Sequence, residues 1–137
     1  MACVLALDPG ERRTGLALSD PTGVLATPLR THDRRTDGSL LELVAEVCAE
    51  HGVERVLVGH PLTQNGERGG AALHAESLAQ RLARHLGLPV ELVDERYTSQ
   101  EADRVLAGRR APKGRRDAVA AAFLLQGWLE SRRREEP

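Results

Sequence analysis

Five consecutive apolar residues, Cys3 to Leu7, run into Asp8-Pro9-Gly10, and a second stretch of small and apolar residues resumes at Arg13 and continues to Ser19. An apolar run this short, bounded by a Pro-Gly turn signal, predicts a buried central strand, and the pair predicts a hairpin. A third strand over about Leu25 to Thr31 completes an antiparallel meander. Pro28 assigns part of that strand to a sheet edge or a bulge, because proline cannot donate to the ladder.

Beyond the meander the period changes. Leu40, Leu43, Val44, Val47 and Cys48 recur at helical spacing, while Glu42, Glu46 and Glu50 form an acidic stripe on another face. Arg55 to Gly59 reads as a short strand and Pro61 to Gly70 as a polar, glycine-rich loop. A second helix starts near Ala71, runs its apolar stripe through Ala75, Leu78, Ala79, Leu82 and Leu86, and stops at Gly87 with Pro89 preventing a restart. Val90 to Val93 is a further strand. A short helix over Ser99 to Ala107 and a last helix over Arg116 to Leu129 follow, and the charged tail, residues 131–137, is expected to fray. Strands ahead of alternating helices and strands make the fold class α/β, with crossover units behind the meander and no internal repeat or linker across residues 1–137. A chain of 137 residues buries roughly two thirds of its unfolded surface, enough for a core without metal or disulfide staples.

Composition narrows the function. Tyr97, Phe123 and Trp128 are the three aromatic residues, too few for modules that stack bases on rows of rings. A formal net charge of -1 rules out a global basic footprint, although all but one of the 19 basic residues are arginine. Cys3 and Cys48 lie in apolar runs without metal-knuckle spacing and read as reduced core thiols. No window approaches the roughly 18 apolar residues of a membrane span, so no membrane partner and a cytoplasmic location are expected.

Phosphate-loop, dinucleotide, zinc-helix and nucleophile-elbow spacings are all absent. Carboxylates remain. Asp8 closes the first strand on the face of Val4 and Ala6; Glu95 ends the last strand within Asp94-Glu95-Arg96; Asp117 opens the last helix, aligned with Ala120, Ala121, Leu124 and Trp128. Each has a plain structural alternative: a turn-starting aspartate, a solvated salt-bridging corner, and a favourable charge at a helix N-terminus. Asp20 reads as a turn residue. The alanine run from Ala118 to Ala122 lets the last helix lie close to the sheet, bringing Asp117 near the strand ends. Three unpaired acids at one sheet rim repel, and without metal at least one should have a raised pKa. Hard oxygen ligands suit one or two Mg²⁺ or Mn²⁺ ions, and two ions about 4 Å apart stabilise both oxygens of a phosphodiester displacement. Arg104, Arg109, Arg110, Lys113, Arg115 and Arg116 form an acid-free run leading into Asp117, suited to gripping phosphates, and Arg12, Arg13, Arg68 and Arg96 extend it.

Four ordered motifs carry a resemblance across nearly the whole chain: Ala6-Leu7-Asp8-Pro9-Gly10 with Arg13 to Asp20; Val58-Gly59-His60-Pro61-Leu62 with Gly66; Asp94-Glu95-Arg96-Tyr97-Thr98-Ser99; and Asp117 to Ala122. The chain resembles the YqgF- or RuvX-type ribonuclease H-like nucleases, also described as candidate Holliday-junction resolvases. The resemblance implies a mixed central sheet with flanking helices and a metal-dependent nuclease whose acids are Asp8, Glu95 and Asp117. It also implies nucleic acid as partner, either the 5′ end of precursor 16S rRNA or branched DNA, the latter requiring a homodimer to cut symmetry-related strands. Gly66, Arg96, Tyr97 and Ser99 or Thr98 are expected to touch the substrate, with the arginine run as phosphate clamp. Two other classes compete: a non-catalytic RNA-binding module on the same fold, and a small-molecule phosphotransferase, which the short chain disfavours because no second lobe closes over a nucleotide.

Overall fold

A computed structural model describes residues 3–62, 65–95 and 116–135. Strands β1 (Cys3–Pro9), β2 (Arg13–Ser19) and β3 (Ala26–Asp33) are followed by α1 (Leu40–His51), β4 (Val53–His60), α2 (Gly70–Leu86), β5 (Val90–Asp94) and α3 (Arg116–Glu135). They build one mixed sheet of order β3-β2-β1-β4-β5, antiparallel among the first three strands and parallel from β1 through β4 to β5. The expected short helix over 99–107 lies outside the described residues.

Central β1 explains its own composition. Alternate residues feed two separate cores, so neither face tolerates a polar side chain along most of its length. Leu5 and Leu7 join Leu16, Val56 and Val58 beneath α1 and α2, whereas Val4 and Ala6 join Ala17 and Leu57 beneath α3. Small residues at Ala6, Ala17, Ala121 and Ala122 let α3 press close to the sheet, as the alanine run predicts.

Local signals set most boundaries. Ser39 caps α1 by accepting from the Glu42 amide, and Gly52 and Gly87 end α1 and α2 in the left-handed conformation, at φ 65° and 68°. β3 is an edge strand, and between Ala17↔Pro28 and Leu16↔Arg30 the register slips past Leu29, the bulge that Pro28 predicts. Asp20 is the turn residue expected, its Oδ1 accepting from the amides of Val24 (2.8 Å) and Leu25 (2.9 Å).

Two boundaries differ from the sequence reading. Asp8, paired to Gly15, closes the strand as expected and is not the turn-starting aspartate of the alternative reading, but β1 goes one residue further, through Pro9 paired to Thr14. Gly10 then donates to the Arg13 carbonyl (2.9 Å) and closes the hairpin. α3 runs on to Glu135, past Ser131 where the charged sequence predicts fraying. Arg132 stacks on Trp128 at 4.9 Å, and Arg133 donates to the Val24 carbonyl at 3.3 Å, so the last turns are held by contacts that a reading of charge alone does not register.

α3 is the element that positions the site, and Leu125 is among its fully buried side chains. Leu125→Ala is expected to cost about 2–5 kcal/mol in urea denaturation; a loss below about 1 kcal/mol would show that α3 docks by other means.

Candidate active site

Asp8, Gly15 and Gly59 form a row across the α3 side of the sheet. Asp8 is the cross-strand partner of Gly15, and on the other side the Leu7↔Val58 pairing brings Gly59 alongside Asp8. Both glycines are empty for a reason. A Cβ on Gly15 would lie 1.8 Å from the Asp117 carbonyl oxygen and 2.6 Å from the Ala118 amide nitrogen, so the first turn of α3 sits directly on the β2 backbone. A Cβ on Gly59 would lie 2.5 Å from Oε1 of Glu95, so the Glu95 side chain folds back over β4 towards Asp8. The space that a side chain on Gly59 would need is filled by Glu95.

The consequence is an acidic cluster drawn from three distant parts of the chain. Asp8 and Glu95 are hydrogen-bonded through their carboxyls, and Asp117 acts on Asp8 through space. Burial first, then the Glu95 hydrogen bond and the charges of Glu95 and Asp117, push the Asp8 carboxyl up to about 8. The sequence predicts a raised carboxylate through repulsion; loss of water is the larger cause. Oε1 of Glu95 is buried with no hydrogen-bond partner among the described residues. Asp8 and Glu95 border a cleft of about 260 Å³ whose other walls are Ala120, Phe123 and Leu124.

An orphaned carboxylate oxygen beside a carboxyl forced to keep its proton is the donor chemistry that a hard divalent cation satisfies, displacing the proton. Asp8 and Glu95 are the residues that fit such an ion most directly. Among the described residues no group of three or more acidic, histidine or cysteine side chains is arranged to hold one, and Asp117 acts on Asp8 through its charge alone.

Other expected site residues divide. Gly66 occupies a turn at φ 78°, a conformation that favours glycine. Arg116 is the first residue of α3. Arg96, Tyr97, Thr98, Ser99, Arg104, Arg109, Arg110, Lys113 and Arg115 lie outside the described residues. Arg68 is engaged elsewhere: its Nε donates to Glu76 at 2.8 Å, and His60 bonds the same carboxylate at 2.8 Å, tying the loop after β4 to α2. These partners pull Glu76 down to about 2, Arg68 first and His60 second. Arg12 and Arg13 both pair with Asp33, at 3.0 and 3.8 Å. Phe123 is a wall that the sequence reading leaves without a role; Leu124, two turns after Asp117 on the stripe aligned with it, is the neighbouring wall that helical spacing does point to.

A central strand carrying the key acid, an antiparallel meander on one side and parallel crossovers on the other define the ribonuclease H-like class of fold. The structure of Thermus thermophilus RuvC in complex with a Holliday junction substrate shares it, with a TM-score of 0.64 at 22% identity over 98% of both chains. A second T. thermophilus RuvC structure gives 0.59 at 20% identity over 96% of both. Residues 2–131 match the RuvX family, described as Holliday junction resolvase, and the chain belongs to that family. A protein of Thermosynechococcus vestitus named as a candidate pre-16S rRNA nuclease is 42% identical over 136 residues, covering 96% of this chain and 90% of that one. One of the same name from Anaeromyxobacter sp. strain K is 43% identical over 132 residues, covering 93% and 96%. The chain is accordingly a nuclease, a hydrolase acting on nucleic acid.

Two predictions follow from the acids and glycines. Between the ordinary aspartate value of 3.8 and about 8, the folded chain keeps a proton on Asp8 that the unfolded chain has released. Raising the pH through that window therefore costs stability, at most about 1.4 kcal/mol per pH unit. Chelator-treated Asp8→Asn should be more stable than the parent at pH 7 and converge with it towards about pH 4; parallel denaturation profiles would contradict the burial of this carboxyl. Gly15→Ala meets immovable backbone and should lose about 1–3 kcal/mol, whereas Gly59→Ala meets the end of a flexible side chain and should lose less while displacing Glu95. Equal losses in urea melts would show that the two approaches are not different in kind.

Proposed function

We propose that this nuclease is divalent-metal-dependent, using Mg²⁺ or Mn²⁺ held by Asp8 and Glu95 with Asp117 completing the site, and that it processes the 5′ end of precursor 16S rRNA. The observation that carries the metal reading is the orphaned Oε1 of Glu95 against a buried Asp8. The names of the relatives from T. vestitus and Anaeromyxobacter support the substrate.

When bound, the cation supplies Lewis-acid stabilisation of phosphoryl oxygen and makes water a stronger nucleophile at neutral pH. The chain supplies the rest. β1 holds Asp8 rigidly at the sheet centre; Glu95, folded over Gly59, presents a second carboxylate from the opposite side. Asp117 is fixed by the contact of its own backbone with Gly15, so its charge cannot drift from the cluster. Phe123 and Leu124 wall the cleft and limit water beside the acids, which strengthens every charge interaction there. Gly66, Arg96, Tyr97, Ser99 and the run Arg109, Arg110, Lys113, Arg115 and Arg116 are assigned to substrate contact on their sequence positions.

Branched DNA is the second reading, supported by the family description; in that case a homodimer cuts two strands related by symmetry. The deciding assay measures cleavage of a precursor 16S 5′-leader fragment and of a four-way DNA junction with Mg²⁺ or Mn²⁺, for the parent and Asp8→Asn. The parent is expected to cut the RNA, and the variant to cut neither. Cleavage of the junction with the RNA spared would reverse the substrate order; cleavage surviving in Asp8→Asn would remove the carboxylate mechanism.

A further inference from the structure

On the α1 and α2 side of the sheet, at the rim next to Asp8, two cavities of about 340 and 510 Å³ share Gly10, Glu11, Arg34 and His74 as walls and form one groove. Its near end is Pro9, the residue after Asp8. It then follows α2 from Ala71 to Arg81, about 15 Å of helix at 1.5 Å per residue.

The charge of the groove is opposite to that of the cleft. Arg12, Arg34 and Arg81 line it with His74, from three separate elements, against the single acid Glu11. That is a local positive excess in a chain of formal net charge -1. Arg34 and Arg81 are exposed and make no ion pair with the described residues, so neither loses a partner on meeting an anion. Arg12 is held at the groove by Asp33. Arginines spaced along a channel match a polyanion with regularly repeated charge. One strand of a duplex presents a phosphate about every 3.4 Å of axis, so the α2 wall spans about four of them.

We propose that this groove carries the phosphodiester backbone of the substrate away from the cleavage site, with Arg34 and Arg81 as its principal phosphate contacts and Arg12 and His74 beside them. The proposal rests on the reading of Asp8 and Glu95 as the catalytic acids, since it is the chain continuing from Asp8 that forms the mouth of the groove.

The test measures binding by the full chain, in chelator so that no cleavage occurs, to a labelled precursor-rRNA fragment and a labelled four-way DNA, across about 50–200 mM salt. Arg34→Gln, Arg81→Gln and the double variant are compared with Arg132→Gln, which removes one charge from α3 about 22 Å along the helix from Asp117. Urea midpoints confirm that each variant is folded. The double variant should bind about tenfold or more weakly and flatten the slope of log K against log salt by about 1.4 to 1.8, roughly 0.7 to 0.9 per lost phosphate contact. Arg132→Gln should move neither. Loss on both substrates or on one supports the groove, the latter naming which nucleic acid it carries. An unchanged slope and affinity in the double variant overturns it, even if Asp8→Asn abolishes cleavage and the catalytic reading stands. Conversely, weakened binding by the double variant with cleavage intact in Asp8→Asn would retain the groove and remove the carboxylate mechanism.

Discussion

Asp8 is a half-buried carboxyl near the end of the central strand, just beyond its fully buried residues Leu5 to Leu7 and on the face that α3 covers. Its row neighbours are two glycines, and that spacing governs the geometry around it. Side chains at either position would separate the acids: one on Gly15 would lift α3 and Asp117, and one on Gly59 would expel Glu95. Without those acids at close range, Asp8 would still be buried but would lose the hydrogen bond and the two negative charges that hold its proton. The cluster is therefore built from absent atoms as much as from present ones. The same tight docking explains why α3 is rich in alanine where it crosses the sheet.

Opposite signs of charge are kept on different faces. On the α3 side the acids share a small cleft with Phe123 and Leu124, where low water content magnifies each charge. On the α2 side, arginines from the β1–β2 turn, the end of β3 and α2 gather along a groove. A net charge of -1, from 19 basic and 20 acidic residues over the whole chain, conceals this local separation. Arg68 shows why counting arginines is insufficient. Glu76, which His60 also bonds, engages it in tying down the loop after β4, whereas among the described residues Arg34 and Arg81, unremarkable in sequence, line the groove without an ion pair.

Much of the fold was legible because it depends on short-range rules. The hairpin, the helical stripes of α1 and α2, and the stop at Gly87 follow from period and backbone freedom. The Pro28 bulge follows from a missing donor. The errors fall where distant contacts override local signals. Pro9-Gly10 reads as a turn, yet pairing with Thr14 keeps Pro9 in the strand. The charged end of α3 reads as a fraying tail, yet Arg133 reaches the Val24 carbonyl 109 residues away in sequence.

Residue type and order alone determined that this chain alternates buried strands with amphipathic helices, and that Asp8, Glu95 and Asp117 are the acids placed at element ends. They also determined the family motifs that join these positions. Only the tertiary structure decided how those acids meet: which glycine holds which neighbour, that burial outweighs repulsion in raising Asp8, and that exposed Arg34, just after β3, and Arg81 of α2 share one groove with the turn after Asp8. The reason is physical. Strand and helix periods are set by neighbours a few residues apart, whereas desolvation and charge coupling depend on what packs within a few ångströms, and here those partners come from opposite ends of the chain.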